Sequence, residues 1–240
     1  MHEWYAAPME GLTGWRWRQV QHEMFGGAAL YVTPFVSPNG NFSFQRKELE
    51  ELDPERNRGI PVVPQILTNR AEYFVWAAKE CRNRGWAQVD LNLGCPSGTV
   101  TGKKKGAGLL RQPELLRQLL DGIFDALPDM KISVKTRIGW ERAEEWPALL
   151  ALLETYPICR LTVHPRVRTQ FYKGTADREV FRWTAEHTAL PLCYNGDVTT
   201  VRDLREMGET FPDDAVMVGR GLVADPSLLR QATGGPAASL

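Results

Sequence analysis

Cys95 stands just beyond the apolar run Gln88 to Asn92, held between Gly94 and Pro96. A thiol with an ordinary pKa of about 8.5 is protonated at neutral pH, so it can give up a proton as a general acid; once ionised it is a nucleophile. Four more polar motifs follow apolar runs in the same way: Lys135-Thr136-Arg137, His164-Pro165-Arg166, Asn195-Gly196-Asp197 and Gly219-Arg220-Gly221. A lysine at the end of such a run can neutralise an anion. His164 is placed to hydrogen-bond a ligand, and Arg166 and Arg168 follow it on the same loop. In the last two motifs, glycine lets the backbone approach closely and Arg220 can make two parallel bonds to phosphate oxygens. Each group alone has an ordinary alternative: a packing thiol, a solvated lysine, a core histidine, a surface arginine.

The elements that must position these groups are legible in the hydrophobic pattern. Short β-rich runs recur at Trp4 to Ala7, Ala29 to Val32, Pro61 to Gln65, Gln88 to Asn92, Lys131 to Thr136, Arg160 to Val163, Leu190 to Tyr194 and Ala215 to Val218. They are mostly apolar throughout, as parallel strands buried on both faces are. Between them, Ala71, Phe74, Val75, Ala78 and Cys81 keep helical spacing, with Asn69 as the expected cap. Leu115, Leu116, Leu119, Leu120 and Ile123 do the same behind Pro113, a first-turn residue. The second crossover, Phe42 to Arg58, is charged, and its helix is the least defined. Parallel strands with crossovers, eight times over, predict an α/β fold: an eight-stranded parallel (β/α)8 TIM barrel, whose reactive groups gather at the carboxyl ends of the strands. Loops after the seventh and eighth strands of such barrels often hold a phosphate, which matches Asn195 to Asp197 and Gly219 to Gly221. No G-x-G-x-x-G follows the first run, so a Rossmann-type dinucleotide domain is not indicated.

One connection is long. Leu93 to Arg111 is glycine-rich, carries Lys103-Lys104-Lys105 and starts at Cys95, which predicts a functional or mobile loop. The lysines suit solvent or, from their position, a polyanionic substrate. At 240 residues, with 29 basic and 29 acidic side chains, the chain fits one barrel with no overall preference for nucleic acid. No apolar run reaches the roughly 18 residues of a membrane span, and the amino terminus lacks a signal-peptide pattern. Cys81, Cys95, Cys159 and Cys193 form no C-x-x-C pair, so a reducing cytoplasm is expected; Cys81 and Cys193 read as core thiols, and Cys159 has no assigned role.

With those motifs in place, the chain resembles the tRNA-dihydrouridine synthases. The resemblance runs through Ala7-Pro8-Met9-Glu10-Gly11, Gln65, Asp90 to Pro96, Val134 to Gly139, Thr162 to Gly174, Asn195-Gly196-Asp197 and Val218 to Gly221. It implies an FMN-binding barrel that uses NADPH to reduce the C5–C6 double bond of uridine in tRNA. Cofactor contacts are implied for Pro8, Met9, Glu10, Gln65, Lys135, His164, Arg166, Asn195, Gly196, Asp197, Gly219 and Arg220. Cys95 would be the proton donor, with Asn92, Lys103, Lys104, Lys105 and Arg168 toward the substrate. No metal and no membrane are expected, and the expected oligomeric state is a monomer.

The chain departs from the family pattern at Pro34, where relatives carry an acidic residue, at Pro165 in place of glycine, and at Asp225-Pro226-Ser227. The family's helical tRNA-binding domain is not expected within this chain: residues 1–232 read as the barrel and 233–240 as a linker or the start of that domain. Two alternatives remain open at this point, a small-molecule FMN reductase and a tRNA-binding remnant without activity.

Overall fold

The structure, a computed structural model, describes residues 2–238. Strands and helices alternate along the chain: β1 (Trp4–Ala6), α1 (Trp15–Met24), β2 (Leu30–Val32), α2 (Arg46–Glu51), β3 (Val62–Val63), β4 (Gln65–Ile66), α3 (Ala71–Asn83) and β5 (Gln88–Leu93). There follow α4 (Gly98–Thr101), α5 (Pro113–Ala126), β6 (Lys131–Arg137), α6 (Trp146–Leu153), β7 (Arg160–His164) and α7 (Arg178–His187). The last elements are β8 (Leu192–Tyr194), α8 (Val201–Thr210), β9 (Ala215–Val218), α9 (Arg220–Ala224) and α10 (Leu228–Ala232). All strand pairs are parallel, in the order β3-β2-β1-β9-β8-β7-β6-β5-β4. The two ends of that order, β3 and β4, are separated by Pro64 alone. One predicted strand is thus two segments, because proline has no N–H for the ladder; its carbonyl still accepts from Asp90 N at 2.8 Å. Eight staves close a barrel.

Period-two alternation sorts the strand side chains. Val89, Leu91 and Leu93 of β5 pack outward with Phe74, Ala78, Leu116 and Leu120, all fully buried. Inward positions form a small apolar floor of Tyr5, Ala7, Val32, Cys193, Ala215 and Met217. Nearer the carboxyl ends, the intervening positions of β4 to β7 are polar: Gln65, Asp90, Asn92, Ser133, Lys135 and His164. Strands that read as apolar throughout therefore alternate after all, with polar groups inside. Cys81 and Cys193 are core thiols, as the pattern suggested.

Three connections differ from expectation. Arg70, not Asn69, precedes α3 as its cap residue; the Asn69 amide instead donates to Lys103 O at 3.0 Å. The charged second crossover contains α2, and two of its acids are tied inward: Glu51 pairs with fully buried Arg18 at 2.8 Å, and buried Glu48 accepts from Ser37 N and Gln45 N. The long connection after Cys95 folds into α4 and a 3₁₀ turn, Gly106–Leu109, whose residues are buried. Ala107 N donates to Cys95 O at 3.1 Å, Lys105 Nζ to Ser37 Oγ at 3.1 Å and Arg168 Nη2 to Thr101 Oγ1 at 3.2 Å. Glycines make it a packed plug rather than a loose loop.

Beyond α10, residues 233–238 contain neither helix nor strand, and the remainder of the expected linker, 239–240, lies outside the described residues. Among the described residues, no helix is long and apolar enough to cross a membrane.

Gly106 carries the clearest consequence. Its φ is +55°, and an added Cβ would stand 2.9 Å from Cys95 O. Gly106→Ala is expected to destabilise the fold by about 2 kcal/mol, lowering the thermal midpoint by about 5 °C. An unchanged melting curve would show that the plug does not pin Cys95.

Candidate active site at the carboxyl ends of the strands

The strand ends enclose a cleft with two arms. The wider, about 270 Å³, is bounded by the loops after β1, β2, β5 and β6, and Cys95 lines it with Glu10, Gln65, Asn92 and Arg137. The narrower, about 80 Å³, lies over β8 and β9 and is lined by Asn195, Gly196, Asp197, Gly219 and Arg220. Pro8, Met9, Lys135, His164 and Tyr172 border both arms, so the two form one continuous site. Twelve of the residues singled out in the sequence therefore converge: Pro8, Met9, Glu10, Gln65, Cys95, Lys135, His164, Asn195, Gly196, Asp197, Gly219 and Arg220. Asn92 joins them at the wall of the wider arm.

The remaining nominated residues lie elsewhere. Arg166 is 1% exposed and sits behind the cleft, donating to Lys173 O, Gly174 O, His164 Nε2 and Asp197 Oδ2. Lys103 and Lys104 are exposed on the Cys95 connection, and Lys105 is half-buried against Ser37. Arg168 stacks over Trp140 and Phe171, each 4.7 Å from the ring centre, outside both arms.

The cleft's electrostatics follow from burial. Loss of water pushes the Cys95 thiol above its ordinary value; a hydrogen bond at Ser97 and the charges of Arg137 and Lys135 pull the other way without reversing it. Cys95 is therefore a neutral thiol at neutral pH. Burial, helped by Arg137, brings Lys135 down to about 8, and among the described residues Nζ has no hydrogen-bond partner. His164 is held well below its usual value by burial, then by Lys135, Arg137, Arg166 and Arg220. Arginine can only donate, so the 3.1 Å contact from Arg166 Nη1 makes Nε2 the acceptor and leaves the ring proton on Nδ1. Burial works to raise the Asp197 carboxyl, but its bonds to Arg166 and Ala176 N and the charge of Arg220 hold it low.

Arg137 and Tyr172 stood in recognised motifs without an assigned role. Arg137 is 1% exposed and donates to Gly94 O at 3.1 Å, Val167 O at 3.0 Å and Phe171 O at 2.7 Å. It fastens the Cys95 turn to the loop after β7. Tyr172 is half-exposed between the two arms, its ring beside the guanidiniums of Arg137 and Arg220 at 5.4 and 5.1 Å. No spacing rule marks either residue: Arg137 ends β6, and Tyr172 comes from the loop after β7 that folds back over the barrel.

Known proteins can now be set beside this geometry. The sequence profile described as Dihydrouridine synthase (Dus) matches residues 5–237. The chain belongs to the dihydrouridine synthase family. It is 33% identical over 221 residues to a probable tRNA-dihydrouridine synthase of Rhizobium leguminosarum bv. phaseoli, covering 92% of this chain and 68% of the relative. It is 31% identical to tRNA-dihydrouridine synthase B of Proteus vulgaris, over 94% of this chain and 69% of that one. Among solved structures, morphinone reductase aligns with a TM-score of 0.66 at 12% identity, covering 99% of this chain and 87% of that one. A 2-naphthoyl-CoA reductase complex aligns at 0.70 and 12%, over 98% and 50% of the two chains. At such identities these structures speak for the barrel fold alone.

The neutral state of His164 has a measurable consequence in this family member. Its pKa is lowered on folding, so the unfolded chain binds the proton more readily and stability drops as the pH falls below about 6.5. His164→Gln removes that contribution. Relative to the parent, the variant should gain about 2 kcal/mol between about pH 7 and about pH 5, read from denaturant melts. Parallel pH profiles would mean that His164 is not held neutral.

Proposed function

We propose that this protein reduces the C5–C6 double bond of uridine in tRNA to dihydrouridine, with FMN in the cleft, NADPH as reductant and Cys95 as proton donor. The observation that carries the reading is a protonated thiol in the same cavity as Lys135 and His164, at the strand ends where barrel enzymes do their chemistry. Family membership supports uridine as the substrate.

The cleft residues fit FMN. In the narrow arm, a Cβ on Gly196 would lie 2.5 Å from Ala176 Cβ, so only glycine leaves room for that turn. Arg166 and Arg220 both pair with Asp197, two positive charges against one negative, which leaves net positive charge for a phosphate. Pro8, Met9, Asn195, Gly219 and Arg220 would hold the phosphate-bearing tail; Lys135 Nζ, His164 Nδ1–H and the Gln65 wall would meet the ring. Glu10 borders the mouth, where it pairs with Lys47 at 3.4 Å. FMN held there would supply hydride chemistry for the uracil C5–C6 bond, with NADPH as the reductant.

The chain's own residues do the rest. Burial keeps the proton on Cys95 until C5 takes it, and the thiolate left behind regains a proton from water. Asn92 Oδ1 accepts from Gly94 N and Cys95 N at 3.1 and 2.9 Å and so fixes the turn that presents the sulfur. A uracil must leave its stack to enter a cleft this narrow, and a flipped base is what a pocket between Phe35 and Tyr172 suits. Lys103, Lys104 and Lys105, on the connection that starts at Cys95, and Arg168, hydrogen-bonded to Thr101 of that connection, are the proposed contacts to RNA phosphates.

Cys95→Ala should retain bound flavin, seen in its visible absorption, while tRNA reduction falls by about a hundredfold or more. Undiminished turnover would remove Cys95 from the reaction. The balanced charge also fits a reductase of small molecules. Turnover that favours free uridine over tRNA and ignores salt would establish that reading instead; steep inhibition by salt is expected for the polyanion.

A further inference from the structure

Asp90 is a buried carboxylate that the reaction does not use, yet it ends a chain of side chains leading to the Cys95 turn. It is 2% exposed, on the inward face of β5. Its Oδ1 accepts from Ser133 Oγ at 2.7 Å and its Oδ2 from Gln65 Nε2 at 2.8 Å. Gln65 Oε1 accepts from Asn92 Nδ2 at 2.7 Å, and Asn92 Oδ1 accepts from the Gly94 and Cys95 N–H groups. All hydrogen bonds from the turn inward thus run in one sense, with two amides between. Gln65 is fully buried and Asn92 nearly so, which leaves neither amide an alternative partner in solvent.

We propose that Asp90 is a positioning residue: by accepting at both oxygens, its carboxylate sets the direction of the Gln65 and Asn92 amides and thereby holds the Cys95 turn. An amide is nearly symmetric in shape, so packing alone does not tell its oxygen from its nitrogen. Reversal of Gln65 would turn its oxygen on the Asp90 carboxylate, acceptor against acceptor. Reversal of Asn92 would present its NH₂ to two backbone N–H groups, donor against donor. A carboxylate at the inner end forbids the first and, through it, the second. A neutral asparagine at position 90 can turn either group toward Gln65, so it loses that command without changing shape. This inference rests on the proposed reaction only for what the turn is for.

Hydrogen exchange of the Gly94 and Cys95 amides reads the relay directly. In Asp90→Asn, protection of these two amides should fall by about tenfold or more, the factor given by losing one hydrogen bond of ordinary strength. Amides of the β5–β6 ladder should keep theirs. Gln65→Met, which leaves the carboxylate in place, should reproduce the loss and serves if Asp90→Asn does not fold. In an Asn92→Ala background, adding Asp90→Asn should change nothing further at Gly94 and Cys95. Unchanged protection in both single variants would overturn the proposal. So would equal loss along the ladder, or additive loss in the double variant, since either makes Asp90 a general packing element. Should the parent fail to reduce tRNA uridine while this pattern appears, the relay stands and the proposed reaction falls.

Discussion

A closed ring of parallel strands points every second side chain inward, and near its carboxyl end this barrel spends those positions on polar groups largely withdrawn from water. That constraint organises the site. Gln65, Asp90, Asn92, Ser133, Lys135 and His164 occupy neighbouring inward positions, set by the pairing of Gln65 with Asp90, of Asp90 with Ser133 and of Asn92 with Lys135. Buried polar groups are stable only when paired, so each must find its partner among the others or face the cleft. Asp90, Gln65 and Asn92 satisfy one another; Lys135 Nζ and His164 Nδ1 do not, and they are the groups turned to the cavity.

The second organising feature is an excess of positive charge beside that interior. Arg137, Arg166 and Arg220 surround the loop after β7, and only Asp197 is ion-paired with two of them. Such a field suppresses protonation of His164, yet the same low dielectric raises the Cys95 thiol. Burial and charge act together on the histidine and oppose each other on the cysteine. The outcome at neutral pH is a neutral imidazole and a neutral thiol in one cleft, a state that the separate residues in water would not both hold firmly.

Loops after the strands turn these inner positions into a site. The Cys95 connection is closed on itself by Ala107 N donating to Cys95 O, and is pinned at Thr101, Lys103 O and Lys105 by Arg168, Asn69 and Ser37 from three other loops. Arg137 joins Gly94 to Val167 and Phe171, so a shift in the loop after β7 would be felt at the thiol. Around the Cys95 turn the cleft is thus held by backbone carbonyls accepting from buried Arg137.

How much of this was written in the sequence differs by element. Seven of the staves, and the helices at Ala71 and Pro113, follow from short-range patterns, because strand and helix periodicity is a property of neighbouring residues. Pro64 was visible as a letter, but its effect, a stave split into β3 and β4, depends on which N–H the ladder needed. Cys95, Lys135, His164 and the two glycine motifs were legible because strand ends are local features. The burial of Arg166, the packing of the Cys95 connection and the convergence of Arg137 and Tyr172 on the cleft were not, since each depends on loops far apart in the chain meeting over the rim. Residue type and spacing alone determined that five of the eight strand ends would carry polar chemistry. Only the closed barrel decided which groups share a cavity, which are consumed by one another, and which way each buried amide points, because hydrogen-bond direction is a property of partners in space.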